Sequence, residues 1–175
     1  MISLGRLLSV PVVVYLILNG FMTFAFWLFI AAGISDGVDG YLAKTLGQSS
    51  ALGAYLDPIA DKTLLVGVYL TLGHAGYLPN WLVIMVVFRD LIIVGGIILL
   101  HIYTDGVRVR PLLISKVNTA AQIALIALIL TELGLGMNLE VLPQILIYIV
   151  AVTTIVSGAS YIINWSRTVE PVKDN

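Results

Sequence analysis

Six apolar segments follow one another along the chain, separated by short polar turns. We predict helices over residues 4–18, 21–44, 51–74, 79–101, 111–133 and 139–165. A membrane-spanning helix needs about 20 residues, so a chain of 175 residues accommodates six spans and leaves no room for a soluble domain. The sequence therefore predicts an all-α integral membrane bundle of six transmembrane helices, forming one domain over residues 1–175.

The composition supports a membrane protein. Hydrophobic residues make up 59% of the chain and charged residues 11%, and a soluble core could not hide that much apolar surface. The net charge of -1 gives no general attraction to nucleic acid, and the absence of Cys excludes disulfides and thiolate metal sites. The N-terminal segment lacks a small-residue cleavage pattern, so we expect it to be a retained first helix rather than a cleaved signal peptide.

Most of the chemistry-bearing residues lie in one stretch, residues 35–62, which reads SDGVDGYLAKTLGQSSALGAYLDPIADK. Asp36 and Asp39 are three residues apart at the end of the second predicted helix, which puts them on one helical face. Gly40 and Ala43 continue that face. The pattern predicts a stripe of two carboxylates followed by small residues.

A second acidic stripe opens the third predicted helix. Gly53, Asp57 and Asp61 recur every four residues, and a polar turn at residues 47–50 separates the two helices. We expect the helices to fold against each other, so that all four carboxylates converge. Four negative charges need cations between them, and carboxylate oxygen suits Mg²⁺ or Mn²⁺ in a chain with no Cys and two His.

Three other interpretations of these carboxylates are open. The carboxylates would be surface groups on helix ends that emerge into water, or functional groups of a small ion or proton transporter, or part of a purely structural membrane subunit. Surface placement does not explain two helical stripes. A transporter favours acids near the membrane midplane and broken helices in two symmetric halves, whereas these acids cluster in one hairpin.

The spacing resembles the signature of the CDP-alcohol phosphotransferases, D-x-x-D-G-x-x-A-R, eight residues, then G-x-x-x-D-x-x-x-D. The matching positions are Asp36, Asp39, Gly40, Ala43, Gly53, Asp57 and Asp61. Lys44 stands where the family usually has Arg, which keeps the charge but loses the planar fork. The resemblance implies a six-helix membrane enzyme, typically a homodimer, that transfers a phosphatidyl or related group from a CDP-linked donor to a hydroxyl and releases CMP.

The resemblance also implies roles for these residues. Asp36, Asp39 and Asp57 would be the principal ligands of two Mg²⁺ or Mn²⁺ ions. Asp61 would complete the second ion's shell and take the proton from the attacking hydroxyl. The small residues Gly40, Ala43 and Gly53 would make room for the CDP group, and Lys44 would contact it. Close helix packing is an equally good explanation for the small residues.

Basic residues outside the signature are candidates for binding the acceptor's phosphate or lipid headgroups: Arg6, Arg89, Arg108, Arg110 and Lys116. Arg89 and Asp90 lie within an apolar helix, where a buried ion pair that orders the bundle is as good an interpretation as a substrate contact. Lys116 begins a polar patch with Asn118, Thr119 and Gln122.

Two segments indicate the acceptor. FRDLIIV and ISKVNTAAQ resemble the CMP-forming cardiolipin synthases, in which phosphatidylglycerol accepts the phosphatidyl group of CDP-diacylglycerol. The similar phosphatidylglycerophosphate synthases use glycerol 3-phosphate and more often have Glu at the position of Asp90. We predict a glycerol-based acceptor, phosphatidylglycerol before glycerol 3-phosphate.

Basic residues also predict the orientation. The predicted turns at residues 19–20, 74–80 and 134–138 contain no Lys or Arg, and the basic residues fall towards the opposite side. The positive-inside rule then puts both termini and the acidic stripes on the cytoplasmic side, and we expect a bacterial inner membrane.

Overall fold

The computed structural model describes residues 2–46, 51–103, 113–139 and 141–168, and it describes side chains for residues 5, 7–35, 62–96, 113–139 and 141–163. These residues form six α-helices: α1 (Ile2–Leu18), α2 (Met22–Leu46), α3 (Ala51–His74), α4 (Asn80–Tyr103), α5 (Leu113–Leu135) and α6 (Val141–Thr168). The described ranges contain no β-strand. The predicted all-α fold is confirmed, and every helix end lies within three residues of its predicted position.

Three helices end in a glycine with left-handed backbone geometry. Gly20 (φ 77°), Gly76 (φ 82°) and Gly136 (φ 67°) follow α1, α3 and α5. A glycine adopts this conformation without the steric cost of a Cβ atom, and it reverses the chain directly after a helix. These glycines lie in the three predicted turns that lack Lys and Arg, which confirms those turns.

Pro79 is a small correction to the predicted start of α4. We expected it in the first helical turn, but α4 begins at Asn80. The carbonyl oxygen of Pro79 accepts hydrogen bonds from the backbone N–H groups of Leu82 and Val83, at 3.0 and 3.3 Å. Pro79 is therefore the N-cap residue, which supplies the first helical carbonyl while its missing N–H has no consequence.

The helices pack in a closed ring in the order α1, α2, α5, α6, α4 and α3, and α3 also touches α5 across the ring. The core inside it is apolar and draws on every helix, with Val13, Ile17, Ala25, Phe29, Val68, Leu72, Leu82, Leu125, Ile126, Leu130 and Val150 all buried. The ring order places α1 between α2 and α3. The two predicted acidic helices are thus both positioned by their packing on α1.

Small residues allow close helix contacts around this ring. A Cβ atom on Gly134 of α5 would lie 2.9 Å from the carbonyl oxygen of Met22 in α2. The hydroxyl of Thr23 donates a hydrogen bond of 2.6 Å to the Gly134 carbonyl at the same place. At another helix pair, a Cβ atom on Gly67 of α3 would meet the Val10 side chain of α1 at 3.2 Å. Glycine thus sets the backbone separation of α2 and α5 and allows tight side-chain packing between α1 and α3.

The outer surface is strongly apolar. Large hydrophobic side chains project outward from α2, α4 and α6, among them Trp27, Ile84, Phe88, Leu91 and Tyr148. Such a surface marks contact with lipid or another protein. Among the described residues, Leu113–Leu135 and Val141–Ile163 are long and apolar enough to cross a membrane, and Leu7–Leu18 and Met22–Ser35 are shorter apolar helices. Membrane association is supported, while six spans stay a prediction.

Candidate active site

The first acidic stripe continues the buried face of α2. The buried residues of this helix recur at helical spacing, at Met22, Ala25, Phe29 and Ala32. Continuing the same spacing past Ala32 reaches Asp36, Asp39 and Ala43, all within α2. Helical spacing therefore predicts that the face of α2 that forms the apolar core becomes acidic towards the end of the helix.

The third helix repeats this arrangement in the opposite chain direction. Its core face includes Leu65, Val68 and Leu72, all buried. Counting back from Leu65 in steps of four residues reaches Asp61, Asp57 and Gly53, all within α3. A carboxylate on the core face of an apolar bundle is costly without a positive partner. Helical spacing thus predicts that both acidic stripes start from faces that are buried further along α2 and α3.

The side chains of the signature residues lie outside the described side chains. Their helices are given: Asp36, Asp39, Gly40, Ala43 and Lys44 belong to α2, Gly53, Asp57 and Asp61 to α3, and Arg6 to α1. Arg108 and Arg110 lie outside the described residues altogether. The predicted convergence of the four carboxylates and their roles as ligands therefore stay predictions.

The donor set fits a hard divalent cation. Both stripes offer carboxylate oxygens and neither contains His or Cys, which is the ligand chemistry of Mg²⁺ and Mn²⁺. Elsewhere, within the residues whose side chains are described, no group of three or more His, Asp or Glu could hold a metal ion. Asp36, Asp39, Asp57 and Asp61 thus stay the predicted ligands, and they belong to α2 and α3.

A buried ionic network lies next to the second stripe. Lys62, which follows Asp61 directly, places its Nζ atom 2.8 Å from both carboxylate oxygens of Asp90 in α4. The Nη1 atom of Arg89 lies 2.6 Å from the Oδ1 atom of the same carboxylate. The side chains of Arg89 and Asp90 are buried, while that of Lys62 is 29% exposed. One negative charge therefore bridges two positive charges.

Two hydroxyls complete the contacts of Arg89. Its Nη2 atom donates to Ser115 Oγ in α5 at 2.6 Å, and its Nε atom donates to Ser157 Oγ in α6 at 3.2 Å. Gly158 packs beside the side chain, since a Cβ atom there would be in ordinary van der Waals contact with Arg89 Cγ at 3.7 Å. Together with Lys62 these bonds join α3, α4, α5 and α6. Arg89 therefore forms the buried ion pair that one interpretation of the sequence expected. Its contact with a substrate stays a prediction.

The predicted polar patch of α5 divides between two faces. Asn118 and Gln122 are fully buried, whereas Lys116 is exposed. The Oδ1 atom of Asn118 accepts hydrogen bonds from the hydroxyls of Thr153 and Thr154 in α6, at 2.8 and 2.9 Å. A single patch is therefore a wrong interpretation, because residues two apart on a helix point about 200° apart.

Some buried amide atoms of α5 lack partners. Within the described part of the chain, Asn118 Nδ2 and both amide atoms of Gln122 make no hydrogen bond. The backbone carbonyl of Gln122 accepts a bond of 3.3 Å from the hydroxyl of Tyr69 in α3. This polar interior region is continuous along α5 with Ser115, one turn before Asn118.

Sequence reasoning missed several members of the network. Lys62 was considered only as a basic residue that indicates orientation, and Ser115, Ser157 and the two threonines of α6 were not singled out. The unusual Arg89–Asp90 pair in an apolar helix was a signal that polar partners must exist. Nothing in the sequence says which hydroxyls or which Lys supply them.

The chain matches the family model of the CDP-alcohol phosphatidyltransferases over residues 1–156. The chain belongs to this family. The match includes both acidic stripes and the Lys62, Arg89, Asp90 and Ser115 members of the network, and it ends one residue before Ser157.

Curated relatives share sequence over most of the chain. A chloroplastic CDP-diacylglycerol–glycerol-3-phosphate 3-phosphatidyltransferase of Oryza sativa is 35% identical over 98% of this chain and 57% of its own length. The human cardiolipin synthase (CMP-forming) is 33% identical over 99% of this chain and 63% of its own length. A cardiolipin synthase (CMP-forming) and mitochondrial hydrolase fusion protein of Schizosaccharomyces pombe is 34% identical, with 30% of its length covered. The chain thus spans less than two thirds of these relatives.

Proposed function

We propose that this chain is a membrane-embedded enzyme that transfers the phosphatidyl group of CDP-diacylglycerol to a glycerol-based acceptor and releases CMP. The observation that carries the proposal is that the signature positions of both acidic stripes fall within α2 and α3, at helical spacing from the buried residues of those helices. Phosphatidylglycerol is the preferred acceptor, which makes the enzyme a cardiolipin synthase of the CMP-forming type. Glycerol 3-phosphate is the alternative, and relatives named for each reaction support both.

The acidic residues would divide the chemistry between them. Asp36, Asp39 and Asp57 would hold two divalent cations, with Asp61 completing the second site. Bound there, the cations would neutralise the donor diphosphate and the charge that develops on departing CMP. Asp61 would accept the proton as the acceptor oxygen bonds to the phosphatidyl phosphorus and the bond from that phosphorus to CMP breaks.

The residues around the carboxylates would admit the donor. Gly40, Ala43 and Gly53 carry little or no side chain, which would let the cytidine and the diphosphate approach the helix backbone. Lys44 would contact phosphate as a point charge. The donor carries acyl chains that stay in the lipid while its head group lies at the membrane surface. A site at the acidic ends of the two helices would be within reach of such a head group.

The basic residues would recognise the acceptor. We assign this role to Arg6, Arg89, Arg108, Arg110 and Lys116. Exposure of Lys116 on α5 favours its contact with a phosphate or headgroup. Arg89 already donates to Asp90, Ser115 and Ser157. A phosphate contact would therefore replace one of these bonds.

The membrane arrangement is part of the proposal. Six helices of 17 to 28 residues and the apolar outer surface support six spans. The charge distribution supports both termini and the acidic stripes facing the cytoplasm, a bacterial inner membrane is the proposed location, and the family resemblance supports a homodimer. Since the chain has no Cys, single introduced cysteines would report the accessible side of each turn to an impermeant thiol reagent.

The deciding experiment is CMP release by the purified protein in detergent with CDP-diacylglycerol and Mg²⁺ or Mn²⁺. We expect release with phosphatidylglycerol and its loss when a chelator is added. Release with glycerol 3-phosphate alone would make the chain a phosphatidylglycerophosphate synthase. Absence of release with both acceptors, in protein that still binds CDP-diacylglycerol, would contradict the glycerol-based acceptor.

A further inference from the structure

The ion pair between Lys62 and Asp90 draws the Lys62 ammonium away from the acidic end of α3. A Cβ atom on Gly73 of α3 would lie 2.8 Å from Val83 Cγ2 and 3.7 Å from Asn80 Oδ1 of α4, so the two helices lie level near these residues. Lys62 is about 17 Å from this level along α3, whereas Asp90 is about 10 to 15 Å from it along α4. The Lys62 side chain therefore reaches back towards the turn, against the tilt of helical side chains towards the N-terminus.

An unpaired Lys62 would behave differently. A lysine near a helix end in an apolar bundle extends its ammonium towards the polar end, which for α3 is the end that carries the acidic stripe. Asp61 precedes Lys62 directly and Asp57 lies five residues before it, so both Cα atoms are within about 9 Å of the Lys62 Cα atom. An ammonium at that end would compete with a metal ion for the carboxylates.

Asp90 is held in place to prevent this. Its carboxylate accepts from Arg89 at 2.6 Å, and Arg89 is itself tied to Ser115 and Ser157 on two further helices. The carboxylate is 6% exposed, so its charge acts at short range on Lys62 rather than being screened by water. Lys62 is the member that α3 contributes to this network.

We propose that Asp90 is a positioning residue that holds the Lys62 ammonium away from Asp57 and Asp61 and so keeps these carboxylates free for a divalent cation. The inference rests on the proposed function, because it takes the acidic stripes as the metal site. It assigns to Asp90 an effect on metal affinity rather than a contact with substrate.

The test is Mn²⁺ binding to the full chain in detergent, measured by electron paramagnetic resonance without donor or acceptor. Asp90→Asn frees Lys62 and should weaken Mn²⁺ affinity on the order of tenfold. Adding Lys62→Met to Asp90→Asn removes the freed ammonium and should return the affinity to within about twofold of the wild type. A purely structural role of Asp90 would predict no such recovery.

Two further variants serve as controls. Ser157→Ala removes a partner of Arg89 but leaves the Lys62–Asp90 pair, so Mn²⁺ affinity should stay within about twofold of the wild type. Lys62→Met alone should leave Mn²⁺ binding unchanged or tighter, since it removes a competing charge. This single variant tests the inference even if Asp90→Asn does not fold.

The outcomes separate this inference from the proposed function. Wild-type protein that binds no Mn²⁺ and releases no CMP would overturn both. Wild-type binding with an unchanged Asp90→Asn affinity would overturn the inference alone, as would a double variant that binds as weakly as Asp90→Asn. Weaker Mn²⁺ binding by Lys62→Met would show that the ammonium assists the site, which also overturns it.

Discussion

The acidic stripes and the Arg89 network are both polar regions inside an apolar bundle, but they are built in opposite ways. The stripes bring four like charges from one stretch of 28 residues on α2 and α3. The network combines opposite charges and hydroxyls from α3, α4, α5 and α6, with contacts between Lys62, Asp90, Arg89, Ser115 and Ser157. Like charges repel until a ligand joins them, whereas a satisfied network stabilises the fold alone. The first region should therefore govern activity, and the second should govern stability and act on activity through the position of Lys62 and the contacts of Arg89.

The largest expected effect is on activity. Asp61→Asn removes the proposed proton acceptor while keeping the size of the side chain, and it should lower phosphatidyl transfer by at least about 10²-fold. Stability should not fall, because one repelling charge is lost. CMP release and thermal unfolding measure the two effects, and CDP-diacylglycerol binding should persist. Lost donor binding in a folded variant would mean that Asp61 acts primarily as a metal ligand.

The second region should respond in the reverse way. Arg89→Met removes the hydrogen-bond donor to Ser115 and Ser157 and one ionic partner of Asp90. Breaking a buried ion pair in this way lowers the free energy of unfolding by about 3 kcal/mol or more. Unfolding in a denaturing detergent titration would measure the loss. Arg89→Lys keeps the charge but cannot reach both hydroxyls, so its stability should lie between those of the wild type and Arg89→Met. A Met variant as stable as the wild type but inactive would instead favour the substrate contact.

The same contrast explains what the sequence could predict. The helices are encoded by long apolar segments, and the stripes by regular spacing within one stretch of chain, so both are visible without knowing the fold. Apart from the adjacent Arg89 and Asp90, the Arg89 network joins residues 26 to 68 positions apart. Serine and threonine occur throughout α5 and α6, and nothing local distinguishes Ser157 from Ser160, whose hydroxyl donates to the Val156 carbonyl of its own helix.

One error in the candidate site was avoidable. Lys116 and Asn118 are close in sequence, and grouping them ignored the rotation of about 100° per residue that separates their faces. The structure buries Asn118 and exposes Lys116. In contrast, the contacts of α1 with both α2 and α3 depend on the packing of the whole ring, which no local pattern in the sequence indicates.

A third prediction tests whether stability can be lost without touching either polar region. In Gly134→Ala the new Cβ atom would lie 2.9 Å from the Met22 carbonyl oxygen and 3.1 Å from Thr23 Cα. Backbone atoms move only with the helix, so the variant should lose about 1–3 kcal/mol in the same denaturing titration. Unchanged stability would mean that α2 and α5 separate at little cost.

Gly95→Ala is the matched control for this change. Gly95 lies within α4, and a Cβ atom there would meet nothing within 4 Å. Alanine has the higher helix propensity, so this variant should gain up to about 1 kcal/mol. The opposite signs of the two glycine substitutions would assign the loss at Gly134 to the α2–α5 contact rather than to the chemistry of Gly→Ala itself.

The smallest effect on stability is expected at the uncharged hydrogen bonds between α5 and α6. Thr154→Val removes one of two hydroxyls that donate to Asn118 Oδ1, while Thr153 still donates at 2.8 Å. Because the acceptor keeps a partner, the loss should be about 1 kcal/mol, and Ser160→Ala should cost less since its bond lies within one helix. Comparing the two in one titration separates an interhelical bond from a local one. If Thr154→Val lost as much stability as Arg89→Met, the distinction between the charged network and the neutral hydrogen bonds would be contradicted. Stability would then depend on the burial of polar groups rather than on their charge.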